Sequence, residues 1–243
     1  MFMTEDLRDV LLGLVAAGIS ATLAWIARTY LWRVRLRRRQ QFLGLPDGSD
    51  ALLVINRQAG GNPQSVQDHD VYALSELSAL VKECGARITL VTHTSVRQGI
   101  GEDTEFCLGG PVSNQRMAAH LQTLLPGVRV NAGLDPSEAA DQCVFQIGQE
   151  RYPLEIGTSE YVLLARLVAQ AGARPVFLFC GQVAITNQAA TRYLARHLEQ
   201  LARKHKNSSF CLLLKVTNSD AYGPDMTELV ADVTHAAQTP LSA

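Results

Sequence analysis

Three carboxylates and two glycine-led junctions hold the chemistry this sequence could perform. They are Asp70, Glu155 and Glu160, and the runs that pass through Gly109-Gly110 and Gly181. Residues 105–125 read as a short apolar strand that stops at Gly109-Gly110 and crosses Pro111-Val112-Ser113. The chain then continues as a helix with Met117, Leu121 and Leu124 on one face. Glycines let backbone approach a ligand closely, and free N–H groups at a helix start attract anions. Pro111 in the first turn, or Ser113 as its cap, would each set the helix start beside the glycines. A second copy lies 73 residues on, where Thr186-Asn187-Gln188 follows Phe179-Cys180 as Ser113-Asn114-Gln115 follows Phe106-Cys107. The expected ligand contacts are therefore Gly109, Gly110, Ser113, Asn114, Gly181, Thr186 and Asn187, with the two helix starts flanking one cleft. Asn114 and Asn187 could read a hydroxyl or base edge, or simply hold their helix starts.

Asp70 either caps a helix or faces that cleft. Glu155 and Glu160 flank the turn Gly157-Thr158-Ser159. Paired carboxylates can act as acid and base or as nucleophile, although two glutamates around a turn are commonly just solvated. The stronger catalytic signatures are absent: no G-x-x-x-x-G-K-[ST] loop, H-E-x-x-H or G-x-S-x-G. A lone G-x-G at Gly99 and Gly101 lacks the third glycine of a dinucleotide site. The six histidines are dispersed, and His120 and His197 are expected at helix surfaces or caps. Five cysteines without a C-x-x-C pair or zinc spacing read as buried reduced thiols, so no metal site and no particular cofactor is assigned.

The elements that would position these residues alternate. Ala51–Ile55 is a continuous apolar strand, and a polar loop from Asn56 to His69 contains Gly60-Gly61-Asn62-Pro63. A helix begins at Asp68 or Asp70, buries Leu74, Leu77, Val81 and Cys84, and stops at Gly85. Ala86–Thr92 is the next strand, completing a β-α-β unit of the kind that builds parallel sheets. After the helix at 113–125 come a strand at Val128–Asn131 and a loop or helical turn at Asp135–Asp141. Cys143–Ile147, Arg151–Ile156, Tyr161–Val168 and Val176–Cys180 read as antiparallel hairpins attached to that sheet. A helix at 186–206, a strand at Phe210–Thr217, a polar turn at 218–226 and a segment at Glu228–Ala237 that leans towards strand complete the chain. The fold expected is an α/β, Rossmann-like layered domain with a mostly parallel sheet and an antiparallel hairpin insertion.

Ahead of it, Val10–Ala27 is uncharged and the apolar character resumes at Tyr30-Leu31-Trp32, so 10–32 is expected to be one transmembrane helix. Residues 1–39 balance at +4 and residues 40–243 at −5, which confines the basic character to the anchor region. Arg33, Arg35, Arg37, Arg38 and Arg39 follow the span and acids precede it, the reverse of a signal peptide. The positive-inside rule then makes 1–9 extracytoplasmic, 33–50 an arginine-rich juxtamembrane linker and 51–243 a cytoplasmic domain. Membrane lipid is the expected partner of residues 10–39. No specific nucleic-acid contact is expected, and oligomeric state is not legible.

Two resemblances add to this. Gly109, Gly110, Pro111, Ser113 and Asn114 form a G-G-P-x-S-N loop, and the chain resembles a group of uncharacterised bacterial single-pass membrane proteins with a Rossmann-like domain. That likeness implies the fold and the anchor but no activity. Gly157-Thr158-Ser159-Glu160 resembles the G-T-x-x-E segment of nucleoside deoxyribosyltransferase-like enzymes, with one residue fewer before the glutamate. The glutamate of those enzymes lies on a helix, whereas Glu160 opens a strand. The function expected is a membrane-tethered, sensor-like module binding a nucleotide or other small anionic ligand. The rivals are an enzyme cleaving or transferring a nucleotide glycosidic bond, and a structural or interaction protein with no small-molecule site.

Overall fold

The computed structural model describes residues 2–56, 65–96, 98–131 and 143–241, without the side chains of residues 2–10 and 131. The glycine-rich stretch at 60–63 and the expected turn at Asp135–Asp141 lie outside the described residues. Helix α1 (Phe2–Leu43) is continuous through the arginine run, so the segment expected to be a linker is helical as far as Leu43. Charge alone does not stop a helix. Gly44, at φ +68, and Pro46 do. Within Leu11–Leu43, α1 contains a stretch long and apolar enough to cross a membrane, with mean hydropathy 1.6 and none of it buried. Its last turn behaves differently: Phe42 and Leu43, with Leu45 just beyond, are sealed in the core.

Seven strands form the main sheet: β1 (Asp50–Ile55), β2 (Arg87–Thr92), β3 (Thr104–Leu108), β7 (Ser159–Leu167), β8 (Val176–Gly181), β9 (Phe210–Thr217) and β10 (Thr227–Asp232). Their order is β10-β9-β7-β8-β3-β1-β2. The pairs β1/β2, β1/β3 and β3/β8 are parallel, whereas β7 runs against both β8 and β9, and β10 against β9. Five of the seven strands consequently share one direction. A separate antiparallel sheet holds β4 (Val128–Asn131), β5 (Val144–Ile147) and β6 (Glu150–Tyr152). Beyond β6 the expected strand at Arg151–Ile156 gives way to a turn closed by Glu155 and Ser159.

The continuous apolar runs have a physical cause: both faces of the main sheet are covered. One face packs on the end of α1, on α2 (Asp68–Glu83) and on α4 (Ala184–His205), with Leu53, Phe106, Phe177 and Phe210 among the contacts. The other packs on α3 (Gln115–Leu124), α6 (Thr234–Gln238) and the small sheet, through Cys107, Leu163, Leu178 and Leu213. The polar turn at 218–226 contains α5 (Ser219–Tyr222) and a 3-10 turn at Gly223–Asp225. The segment from 228 splits into the end of β10 and the start of α6, where the Thr234 hydroxyl bonds the Asp232 carboxylate. All five cysteines are free; four are buried and Cys143 is partly exposed.

Arg166, only 3% exposed, fastens α1 to this body. Its Nε donates to the Phe42 carbonyl at 2.8 Å, and one terminal nitrogen donates to the Asn207 and Ser208 carbonyls at 2.9 and 3.1 Å. Burial pulls the guanidinium down to about 10, so it stays charged near neutrality, with three carbonyl oxygens in place of a carboxylate partner.

Candidate ligand-binding cleft

Strands β8, β3 and β1 are neighbours and parallel, so Gly181 at the end of β8, Gly109-Gly110 after β3 and Asn56 after β1 emerge together at one end of the sheet. The start of β7 and the end of β9 reach the same end, as the pairing of Ser159 with Thr217 shows. A cleft of about 640 Å³ opens there, within the range of small-molecule pockets. Open α/β sheets bind ligands beyond the carboxyl ends of their strands. Of the residues singled out from sequence, Gly110, Ser113, Gly181, Asn187, Asp70 and Glu160 line this cleft. Gly109, Asn114, Thr186 and Glu155 are not part of its lining.

The glycines do something other than admit a ligand. Gly109 sits at φ +97, and a Cβ there would lie 2.6 Å from Nδ2 of Asn56, so the close approach serves the protein's own side chain. Its N–H bonds the Phe179 carbonyl at 3.0 Å, and the Gly181 N–H is taken by Asn187 Oδ1 at 2.8 Å. The amides of Ser113 and Asn114 turn back to the Gly110 carbonyl. Neither Pro111 nor Ser113 starts α3. Asn114 caps it, accepting from the Met117 N–H at 3.0 Å and donating to the Leu108 carbonyl at 2.7 Å. The equivalent Asn187 lies inside the first turn of α4. There the cap residue Val183 has no side-chain bond to offer, and Ala184 and Ile185 line the cleft.

Asp70 does not cap α2, whose cap position is Gln67. It is 1% exposed and bridges the end of β1 to the start of α4, Oδ2 accepting from Asn56 Nδ2 at 2.9 Å and Oδ1 from Asn187 Nδ2 at 2.8 Å. Burial pushes its carboxyl above the ordinary value, against the opposing effect of those two bonds. Glu155 is exposed on its turn, but Glu160 is 2% exposed. Its Oε1 accepts from the Gly157 N–H at 2.9 Å, while Oε2 is buried with no partner among the described residues. Gly157 adopts φ +77 beside Asp220, where a Cβ would overlap the aspartate carboxylate. Asn56 carries a second orphan, since Oδ1 is buried and has no partner among the described residues although Nδ2 is used. Two residues lining one cleft therefore each carry a buried acceptor that finds no donor among the described residues.

Sequence reasoning missed Asn56 and Gln182. Asn56 could have been found as the first polar residue after an apolar strand at the ligand end of a sheet. Gln182 ties β8 to the small sheet: its amide donates to the Cys143 and Tyr152 carbonyls at 2.7 and 2.9 Å, and its oxygen accepts from the Tyr161 N–H. The charged or titratable side chains lining the cleft, among the described residues, are His69, Asp70, Cys143, Glu160 and Asp220, with no lysine or arginine.

His120 is also corrected. It is 1% exposed, not a surface group, and its Nε2 donates to Glu105 Oε1 at 2.8 Å. Glu105, Cys107 and His120 bring possible metal-ligand atoms within 4.8 Å of one another. Both Glu105 oxygens are already used, however, because Arg116 donates to each, at 3.1 and 2.8 Å. Burial also raises the Cys107 thiol well above its ordinary value, which disfavours a thiolate. The group is better suited to clamping α3 on β3 than to holding a cation.

Fold and site together define a mixed α/β domain with a cleft at the carboxyl ends of adjacent parallel strands, its largely apolar lining interrupted by carboxyl and amide side chains. Comparison with protein-family models, with curated proteins and with solved structures finds no match for the chain.

Gly181→Ala is expected to destabilise the chain by about 1–3 kcal/mol, since the new Cβ overlaps Thr186 Oγ1 and Asn187 Oδ1. A thermal melt should show a drop of several degrees, and an unchanged melting temperature would refute the packing described.

Proposed function

We propose that this chain is a membrane-tethered ligand-binding domain whose cleft takes a nucleoside or nucleotide, held mainly through its hydroxyl groups. The Rossmann-like reading of the sheet belongs to this proposal. So does the arrangement with residues 1–9 outside, 10–32 spanning the membrane and 51–243 in the cytoplasm, which the arginines after the span support. One observation carries the ligand class: Glu160 and Asn56 line the cleft, and among the described residues nothing donates to the buried Oε2 of the one or Oδ1 of the other. Each such orphan costs about 1–3 kcal/mol, which a ligand hydroxyl would recover. The amides of Gly109 and Gly181 are spent inside the protein, so neither is offered to an anionic group, and the start of α4 at Ala184 and Ile185 is where one would be received. With three carboxyls and no lysine or arginine in the described lining, a monophosphate fits this reading better than a triphosphate.

Glu160→Gln is the test. Glutamine can keep the Gly157 bond through its carbonyl oxygen, but it presents NH₂ where the ligand needs an acceptor. With the full-length chain and a panel of nucleosides, mono- and triphosphates, the expected result is a thermal shift with nucleosides or monophosphates. The substitution should weaken that binding about 10- to 100-fold. No shift with any member, or unchanged affinity in the variant, sinks the proposal.

The same free oxygen favours a second reading, in which Glu160 attacks or protonates at a glycosidic bond. In that case Glu160→Gln abolishes turnover while binding survives. Glu155 is then no partner, being exposed on the turn.

A further inference from the structure

A second cleft, of about 380 Å³, lies far from the first, where the last turns of α1 and α4 meet. Its lining includes Arg38, Arg39, Phe42, Glu199, Arg203 and Lys206, four cations against one acid. Arg39 is committed, with ion pairs to Glu83 at 3.1 Å and Glu199 at 3.7 Å. Arg38, Arg203 and Lys206 are exposed, and none makes an ion pair among the described residues. Basic residues at the end of α4 offset the negative end of its own dipole. That accounts for Arg203 but not for Arg38, which belongs to the other helix. Lys206 is held at φ +51, ψ −116, a conformation that glycine takes without strain, and a lysine occupies it.

We propose that this cleft is a binding site for the phosphate-bearing headgroup of an anionic phospholipid, shared between α1 and α4. The proposal rests on the membrane tether. Six residues of helix, about 9 Å, separate Trp32 at the end of the apolar stretch from Arg38. A headgroup layer is roughly 5–8 Å deep, so an arginine side chain closes the difference. Phosphate oxygens suit the pairing of guanidinium forks with an ammonium. A headgroup seated here would pin the soluble domain against the bilayer by α4 as well as by its tether. That goes beyond the nonspecific attraction of an arginine run to an anionic surface.

The full-length chain is reconstituted in vesicles of phosphatidylcholine with a minor fraction of phosphatidylglycerol, and the lipid that stays on the protein is measured by native mass spectrometry. Phosphatidylglycerol is expected to be enriched on the protein over its bulk share. The double variant Arg203→Gln/Lys206→Gln, at exposed positions at the end of α4, should cut that enrichment by about tenfold or more for each cation removed, as losing a hydrogen bond to a charged group would. Arg33→Gln/Arg37→Gln, outside the cleft on α1, should cut it less. Equal losses from the two variants would show that surface charge suffices and overturn the proposal. Competition by millimolar inorganic phosphate as effective as that by the lipid would make this a free-phosphate site, and would overturn it too. Flotation with phosphatidylcholine alone reports on the tether separately. A chain that fails to float refutes tether and headgroup site together, whereas one that floats without phosphatidylglycerol enrichment refutes the headgroup site only.

Discussion

Glu105→Ala is expected to lower the stability of the folded chain by about 3–5 kcal/mol, because it strips two buried partners of their acceptor at once. Glu105 is 2% exposed on β3, and it receives Arg116 and His120 from successive turns of α3. Without it, the largely covered guanidinium and the fully covered imidazole have no carboxylate, and only the Asn114 cap, through the Leu108 carbonyl, still ties α3 to β3 by a polar bond among those described above. Burial pushes the Glu105 carboxyl up, but the hydrogen bonds and charges of His120 and Arg116 together outweigh burial and hold it below 4.5. A carboxyl with a depressed folded value contributes stability that is fully present above the unfolded value. That contribution is lost as pH falls through the folded one. Urea denaturation should therefore show the full gap between wild type and variant at pH 7, closing below pH 4.5 as the wild type loses what Glu105 supplied. A gap under about 1 kcal/mol at neutral pH, or one that is flat with pH, would refute the clamp.

What was legible in the sequence follows from burial. Strands β1, β3, β8 and β9 announce themselves as unbroken apolar runs because helices or the small sheet cover both their faces. Helix α2 shows its stripe for the same reason. The polar architecture was not legible, because its partners are far apart in the chain. Asn56 and Asp70 are 14 residues apart, Asp70 and Asn187 117. Glu105 and His120, at 15, look like an ordinary strand acid and an ordinary helix histidine until the register sets them together. Glu160 looked solvated because it follows a turn, yet the sheet carries β7 inward from its first residues. The repeated S/T-N-Q signature was visible, but its role was not. One asparagine caps a helix, whereas the other holds a glycine amide and an aspartate.

That second asparagine sets the other large effect expected. Asn187→Leu keeps the volume of the side chain while removing both its bonds, the one that Oδ1 accepts from Gly181 N–H and the one Nδ2 donates to Asp70. Asn187 is 2% exposed, so water cannot replace either. Two orphaned groups, one of them a carboxyl, should cost about 3–5 kcal/mol. The pH dependence separates the two parts. Burial already raises the folded Asp70 above 3.8, and losing a donor lets burial push it further. A carboxyl raised in the folded state favours folding when protonated, and stability falls as pH rises through the window between its unfolded and folded values. The deficit of Asn187→Leu is therefore largest at neutral pH and narrows towards pH 4, by recovery of the variant rather than by failure of the wild type. Adding Asp70→Ala should erase that pH dependence, leaving a pH-independent deficit from the Gly181 amide and from the Asn56 amide that Asp70 had accepted. A deficit indifferent to pH in the single variant would mean that Asp70 does not depend on Asn187. The end of β1 and the start of α4 would then be neighbours in the cleft without being joined through a shared carboxylate.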